Sequence, residues 1–338
     1  MPVSLTVVGQ TDIGLVRKAN EDAFVIADLS GGSLLDEERI AKFEVGERGA
    51  LLAVSDGTCG HKAGEVASTL VIDSLLRSMA LQSPRDPSDA RLDRAALQAN
   101  RDVWKAAQVP GRERMGATLT AVLVHDEAAY IAEVGDSRAY LVRSGQIAQV
   151  TRDQSYVQLM IDSGMIEPDE AQRSGFGNAI LQAMGMSESV QVALGRLDLR
   201  PRDCLVLCSD GLSGLVSADE IRDIVLTAGL PDAVCAKLVE LANTRGGRDN
   251  VTVIVAGVSG DLPALVAGEK IADTLHVVRE FEPRGPEGVM TRVVFEGPRR
   301  TSRETAPAMQ GLPRPSLGGL GAGARPGADS LSATGTRP

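Results

Sequence analysis

Four short acidic segments, spread over most of the chain, each place an aspartate where a shared cation could use it. They are Arg17-Lys-Ala-Asn-Glu21-Asp22, Ser55-Asp56-Gly57, Ser209-Asp210-Gly211 and Arg248-Asp249-Asn250. Asp56, Asp210 and Asp249 stand at or just past the end of an apolar, β-branched run, where a rigid sheet can hold side chains in a fixed array. Carboxylates that converge at the mouth of a core repel one another unless a cation sits between them. Any one of these aspartates alone reads as a turn residue. Four in this order, in these surroundings, point to a metal centre.

The elements that must position them alternate along the body of the chain. Strands are predicted at 4–8, 50–55, 117–124, 129–134, 139–143, 190–198, 204–209 and 251–257, and helices at 63–80, 88–108, 156–163, 218–227 and 233–244. Many strands follow one another through tight turns such as His125-Asp126-Glu127 and Ser144-Gly145-Gln146, which favours antiparallel over doubly wound parallel sheet. Leu92, Ala96, Ala99 and Val103 form one apolar stripe on the second helix, with Ser88 as its expected cap. Helices with one such stripe against antiparallel sheets make a layered sandwich of α and β elements.

Composition narrows the class. Of 338 residues 43% are hydrophobic and 24% charged, ordinary for a globular protein, and aromatics at 3% leave the core to Val, Leu, Ile and Ala. A net charge of -10 argues against a nucleic-acid surface. Cys204 and Cys208 lie four apart on a predicted strand, roughly 13 Å at the usual rise, too far for a disulfide. The N-terminus lacks the pattern of a signal peptide, and no apolar run reaches the length of a membrane span. A cytoplasmic protein with no membrane or nucleic-acid partner is expected.

The body runs to about residue 258. An appended segment, 259–297, holds β-like runs at 274–281 and 289–295, read as a short hairpin. The stretch 298–338 is rich in Gly, Pro, Ser and Arg, and such a composition buries too little apolar area to offset its ordering entropy, so a flexible tail is expected.

Taken in order, the motifs resemble those of the metal-dependent protein phosphatases, the protein phosphatase 2C family, in its bacterial branch. The matching stretches are Gly14-Leu-Val-Arg17-Lys-Ala-Asn-Glu21-Asp22, Val54-Ser-Asp56-Gly57-Thr-Cys59-Gly-His61-Lys-Ala-Gly-Glu65 and Met115-Gly-Ala-Thr118. They continue with Val134-Gly-Asp136-Ser-Arg138-Ala-Tyr140, Cys208-Ser-Asp210-Gly211-Leu212 and Arg248-Asp249-Asn250-Val-Thr252. The resemblance implies an α+β fold, a four-layer αββα sandwich of two antiparallel sheets flanked by helices, over a catalytic domain of residues 1–258. It also implies hydrolysis of phosphoserine and phosphothreonine at a pair of Mg²⁺ or Mn²⁺ ions, with a bridging hydroxide as nucleophile. Hard cations prefer oxygen ligands, and two ions sharing a carboxylate and a water sharply lower that water's pKa.

On matching positions, the resemblance has Asp56 bridge the two ions and the Gly57 carbonyl bind one of them. Asp210 and Asp249 complete the shell of the other, and Asp22, with Glu21 beside it, serves the first ion directly or through water. Arg17 holds the substrate phosphate, where a guanidinium fork suits two phosphate oxygens. Asp136 matches a position linked to a third, weaker metal. The partners implied are phosphoproteins modified on Ser or Thr and a cognate Ser/Thr kinase, with the enzyme a monomer. Several plainer readings stand beside these: Arg17 as a surface ion-pair residue, Asp136-Ser137-Arg138 as a turn closed by its own salt bridge, and His61 and Glu65 as structural residues. His125 and His276 are read as bystanders.

Three departures from the family pattern stand out. Cys59 replaces a glycine beside the metal loop, read first as a harmless small residue and, as the sharper alternative, as one whose oxidation would disturb the Asp56 loop. Asp153-Gln154-Ser155 stands for the usual Asp-His-Ser, and Leu181-Gln182 for Thr-Arg ahead of Ala183-Met184-Gly185. The last two fall in or beside the segment 156–185, which the resemblance places as a flap near the active site, and they bear on substrate preference. A cysteine phosphatase is excluded, since six positions after each cysteine stand Glu65, Asp210, Gly214 and Leu241 rather than arginine. No Gly-x4-Gly-Lys-Ser/Thr loop is present. A binding-only pseudophosphatase would be signalled by loss of a ligating aspartate, and none is lost.

Overall fold

The computed structural model describes residues 2–34, 40–58, 62–112, 115–167, 170 and 179–283. Two antiparallel sheets carry the chain. The first has six strands: β4 (Ala41–Glu44), β1 (Ser4–Asp12), β12 (Val251–Ser259), β11 (Cys204–Cys208), β8 (Arg138–Arg143) and β9 (Gln146–Gln149), in that order. The second has seven: β13 (Leu275–Arg279), β10 (Ala193–Asp198), β7 (Ala128–Val134), β6 (Leu119–His125), β5 (Ala50–Asp56), β2 (Asp22–Asp28) and β3 (Ser33–Leu34).

Period-two alternation sorts each strand between two cores. On β12, Ile254, Ala256 and Val258 face the space between the sheets, while Val251, Val253 and Val255 face outward onto helices. Those helices are α5 (Ala218–Ala228) and α6 (Pro231–Thr244), which lay Ile221, Val234, Leu238 and Ala242 on the first sheet. Helices α1 (Lys62–Leu81) and α2 (Ser88–Ala107) cover the second sheet, packing Val71, Leu75, Leu92, Ala96, Ala99 and Val103 over Leu51, Ala53 and Ala121. Between the sheets lie Leu5, Val7, Leu52, Val54, Val122, Leu141, Leu205 and Ile254. The result is the four-layer αββα sandwich expected from the sequence.

Several local readings are corrected. Strand β2, which carries Asp22, and the short β3, β4 and β9 were not among the expected strands. Ser88 is not a cap: Pro87 holds that position without a side-chain bond, and the Ser88 hydroxyl instead meets Nδ1 of His125 at 2.9 Å. His125 also reaches the carbonyl of Glu47 at 2.9 Å, so it ties the end of β6 to two neighbouring segments. Among the described residues, the stretch after Ser259 contains a helical turn, α7 (Ile271–Thr274), and adds a strand, β13, to the edge of the second sheet. The expected second run, 289–295, and the tail lie outside the described residues. Cys204, Cys208 and Cys235 are free, and burial pushes each thiol up to about 12. Two shorter helices, α3 (Tyr156–Asp162) and α4 (Asp210–Ser213), flank the site described below. Among the described residues no helix is long and apolar enough to cross a membrane.

One buried ion pair fastens the appended turn to the body. Arg143 of β8 is 4% exposed and donates to both oxygens of the fully buried Asp203, at 2.7 and 2.6 Å. Nη1 donates to the Thr274 hydroxyl, and Nη2 also donates to the Asp198 carbonyl, both at 2.8 Å. Removing one member of such a pair strands the other charge out of water. Asp203→Ala is therefore expected to lose about 3 kcal/mol of stability, read as a lower midpoint of urea unfolding with an unchanged slope.

Candidate metal centre

The alternation that fills the inter-sheet core also builds the site. On β2, Asp22 shares the inward face of Phe24 and Ile26; on β5, Asp56 shares that of Leu52 and Val54. The register places Asp22 directly opposite Asp56. From the other sheet, Ser209 continues the inward line of Leu205 and Leu207, and Thr252 that of Ile254. At one end of the sandwich the inward positions thus change from apolar to polar in both sheets at once.

Hydrogen bonds lock these ends together. Ser209 and Thr252 each donate a hydroxyl to Oδ2 of Asp22 at 2.7 Å, and the Thr252 amide donates to Ser209 Oγ at 3.0 Å. Oδ1 of Asp22 is buried and has no hydrogen-bond partner. Behind Asp56, Thr118 accepts the Asp56 amide at its hydroxyl and donates its own amide to the Asp56 carbonyl, at 3.0 and 2.8 Å. The Asn250 side chain clamps the loop ahead of β2: it donates to the carbonyls of Ile13 and Ala19 and accepts the Glu21 amide at 2.8 Å. The Glu21 carbonyl in turn accepts the Gly57 amide at 3.1 Å.

Two glycines make close approaches possible. Gly14 has φ +77°, and a Cβ there would stand 2.2 Å from the Asp249 carbonyl oxygen, so only glycine lets the Arg17 loop lie against the Asp249 turn. A Cβ on Gly64, in the first turn of α1, would stand 2.5 Å from Glu21 Oε2 and 3.2 Å from the Gly57 carbonyl oxygen. Its absence leaves room where the Glu21 carboxylate and the Gly57 carbonyl come together.

The electrostatics follow from crowding. Asp22, Asp56, Asp136 and Asp210 keep partial exposure in the cleft, yet protein surrounds their carboxyl groups closely enough for desolvation to dominate. Burial, then repulsion from Asp210 and Asp249, raises Asp22 to about 7 against the stabilising bonds from Thr252 and Ser209. Burial, with repulsion from Asp210 and Asp153, raises Asp136 to about 8. Asp56 is pushed well above the carboxylate range by burial and by Asp22, Asp210 and Asp136, and Asp210 is raised by burial and Asp249.

The structure thus gathers Asp22, Asp56, Asp136, Asp210 and Asp249 at one mouth, with Glu21 and the Gly57 carbonyl beside them. Among the described residues no three His, Cys, Asp or Glu side chains stand close enough to hold one ion together. Arg17 pairs with Asp249, Nη2 to Oδ2 at 2.6 Å, the ion-pair alternative weighed above, and is itself 42% exposed. Arg138 does not close a salt bridge with Asp136. It forks onto Asp153 at 2.6–3.0 Å, which leaves Asp136 turned to the other acids. His276 reaches Asp198 at 3.1 Å, away from the cleft residues, and Cys59 and His61 lie outside the described residues. Ser209, Thr252, Asn250, Thr118 and Gly64 escaped the sequence reading as site residues; all stand inside the matched motifs, which was the available signal.

The donor set suits hard divalent cations: it is all oxygen, crowded with like charge, and holds a buried carboxylate oxygen with no partner. A family model described as protein phosphatase 2C matches residues 36–235. The chain is 38% identical over 252 residues to the serine/threonine protein phosphatase PstP of Mycobacterium tuberculosis, covering 74% of this chain and 44% of that protein. The match thus spans less than half of that relative's length. A putative protein phosphatase 2C-type of Streptococcus pyogenes is 32% identical over 246 residues, covering 72% of this chain and 94% of that one. In structure, the catalytic domain of PstP in complex with two manganese ions superposes with a TM-score of 0.63 at 35% identity, covering 76% of this chain and all of that one. The chain belongs to the protein phosphatase 2C family.

A pH dependence follows for the cation-free protein. An unfolded aspartate titrates near 3.8, whereas folded Asp22 and Asp136 do so near 7 and 8. The folded state then holds more protons across that interval, so stability is full below about pH 4 and falls as pH rises through 7 to 8. In chelator, the thermal midpoint is expected to drop by at least about 3 °C between pH 5 and 8, what a loss of about 1 kcal/mol gives in a domain of this size. Added Mn²⁺ should raise the midpoint, and more at pH 8 than at pH 5.

Proposed function

We propose that this chain is a metal-dependent protein-serine/threonine phosphatase that opposes a bacterial Ser/Thr kinase in the cytoplasm. The observation that carries this reading is the convergence of carboxyls, with Asp22 and Asp56 opposite each other on inward-facing strand ends and Asp210 and Asp249 near enough to repel both.

Asp56, which feels repulsion from both Asp22 and Asp210, would help hold both of two cations. Asp22, Glu21 and the Gly57 carbonyl would hold one cation, and Asp210 and Asp249 the other. Asp136 would contribute to a third. Bound Mn²⁺ or Mg²⁺ supplies positive charge against phosphoryl oxygens and makes water acidic enough to attack phosphorus at neutral pH. The chain's own part is to deliver deprotonated carboxylates, to keep them in register, and to present the phosphate.

Arg17 performs the last task. Its guanidinium already sits on a carboxylate, and a phosphate offers the same two-oxygen geometry with more charge. Because Arg17 is partly exposed on the loop before β2, it can exchange Asp249 for substrate without unpacking the core. Ile13, Leu15 and Val16 stand exposed in the same loop, 40%, 68% and 64%, an apolar lip that a protein substrate would cover.

Hydrolysis of a phosphothreonine peptide tests the reading. Wild type should turn over with Mn²⁺ or Mg²⁺ and stop in chelator. Asp210→Asn and Asp249→Asn should each lower kcat/KM at least about a hundredfold, a loss of about 2.7 kcal/mol in transition-state stabilisation. Arg17→Ala should act mainly on KM. A folded wild type, loaded with Mn²⁺, that is inactive on several phosphopeptides would sink the proposal.

A further inference from the structure

The two glutamines that depart from the family pattern, 28 residues apart in sequence, touch. Gln154 is 1% exposed, and every polar atom of its amide is engaged. Its Oε1 accepts the Gly135 amide at 2.9 Å and Nε2 of Gln182 at 2.8 Å, while its Nε2 donates to the Glu133 carbonyl at 3.1 Å. Nε2 of Gln182 also donates to the Gln191 carbonyl at 2.6 Å, and its Oε1 accepts the Gln191 amide at 3.1 Å. The Gln191 side chain then pairs with the main chain of Glu282, at 3.0 and 3.2 Å.

This relay sits at the stem where Ser155 bridges Ile180, with Tyr156 donating to the Ala179 carbonyl and Leu181 to the Gln154 carbonyl. It ends on Gly135, the residue before Asp136. Gly135 has φ +107°, and a Cβ there would meet Thr118 at 2.7 Å, the residue that holds the Asp56 amide. Two residues past Gln182, Met184 exchanges both main-chain hydrogen bonds with Ala117. The stem is thereby registered against both the Asp56 loop and the Asp136 turn.

The chemistry of the positions is specific. The site at 154 asks for one group that accepts twice and donates once, which a carboxamide does and a neutral imidazole, with one donor and one acceptor nitrogen, does not. The site at 182 asks for an acceptor facing the Gln191 amide, which a guanidinium lacks. The two departures are therefore matched: each amide supplies what the other requires.

Resting on the phosphatase reading, we propose that Gln154 and Gln182 are positioning residues for phosphopeptide hydrolysis. Their amide relay fixes the Ser155–Ile180 stem against the Gly135–Asp136 turn and so sets where the protein substrate lies relative to the acidic mouth.

The test uses full-length wild type, Gln154→Met, Gln182→Met and the double variant. Kinetics with Mn²⁺ on a phosphothreonine peptide and on p-nitrophenyl phosphate are read beside hydrogen–deuterium exchange. Each single change breaks the bond between the two amides, so the second change has no such bond left to break. Each single variant should raise the peptide KM about tenfold with a smaller change in kcat, and lose several-fold less on the aryl phosphate. The double variant should lose less than the sum of the two single losses. Exchange in Gln182→Met should rise around residues 133–137 and 154–156 as well as around 182. Additive losses, equal losses on the two substrates, or exchange changes confined to the neighbourhood of residue 182 would overturn the relay. A wild type without metal-dependent turnover would instead overturn the phosphatase reading, and exchange alone would then decide whether the relay exists.

Discussion

Holding like charges together away from bulk water is unfavourable, and this fold does so at the open end of its core. The β2–β5 register sets Asp22 and Asp56 face to face, and Asp136, Asp210 and Asp249 add to the same field. Nothing in the local sequence of any one strand would hold that arrangement. It persists because Asp22 and Asp56 ride on strand ends whose other inward residues are locked in the inter-sheet core, because Asp136, Asp210 and Asp249 each lie two residues from the end of β7, β11 or β12, and because Ser209, Thr252 and Thr118 direct hydrogen bonds at Asp22 and the Asp56 backbone. The apolar core thus supplies the free energy that keeps the acids in place. The strain of their proximity is a standing affinity for cations.

The same economy explains the traffic around the mouth. Arg17 and Asp249 satisfy each other at the rim, where exposure keeps such a pair weak and exchangeable. Arg138 and Asp153, more enclosed and bidentate, form a fixed brace instead. The loose pair thus lies at the exposed rim and the tight pair behind the Asp136 turn.

Much of this was legible before the fold. The apolar, β-branched runs that became β5, β11 and β12, the tight turns and the stripe on α2 pointed to antiparallel sheet layered with helices, the family resemblance added the two packed sheets, and the acidic segments gave the mouth. What stayed hidden was hidden for physical reasons. Strand β2 follows directly on the Arg17–Asp22 segment with no turn signal between them, so its alternation of Ala23, Val25 and Ala27 against Phe24 and Ile26 was masked. Ser88 has the right residue type and position for a cap, but the tertiary contact with His125 claimed its hydroxyl. The roles of Ser209, Thr252 and Asn250 depend on pairings across more than 180 residues of sequence, as does the choice of Asp249 by Arg17. Gln154 and Gln182 were visible as exceptions; that they answer one another needed coordinates.

Strand β12 lies between β1 and β11, joining the start of the chain to its middle, with Ser4 opposite Ser259. During synthesis the amino-terminal strand therefore leaves the ribosome long before its partner exists. At about 5–20 residues per second, β1 and the Asp22 strand wait some tens of seconds for Thr252 to arrive. Until then Asp22 lacks one of its two hydroxyl donors and Asp249 has not been made. The acidic mouth is therefore complete only once β12 has been made, and no shorter nascent chain contains it.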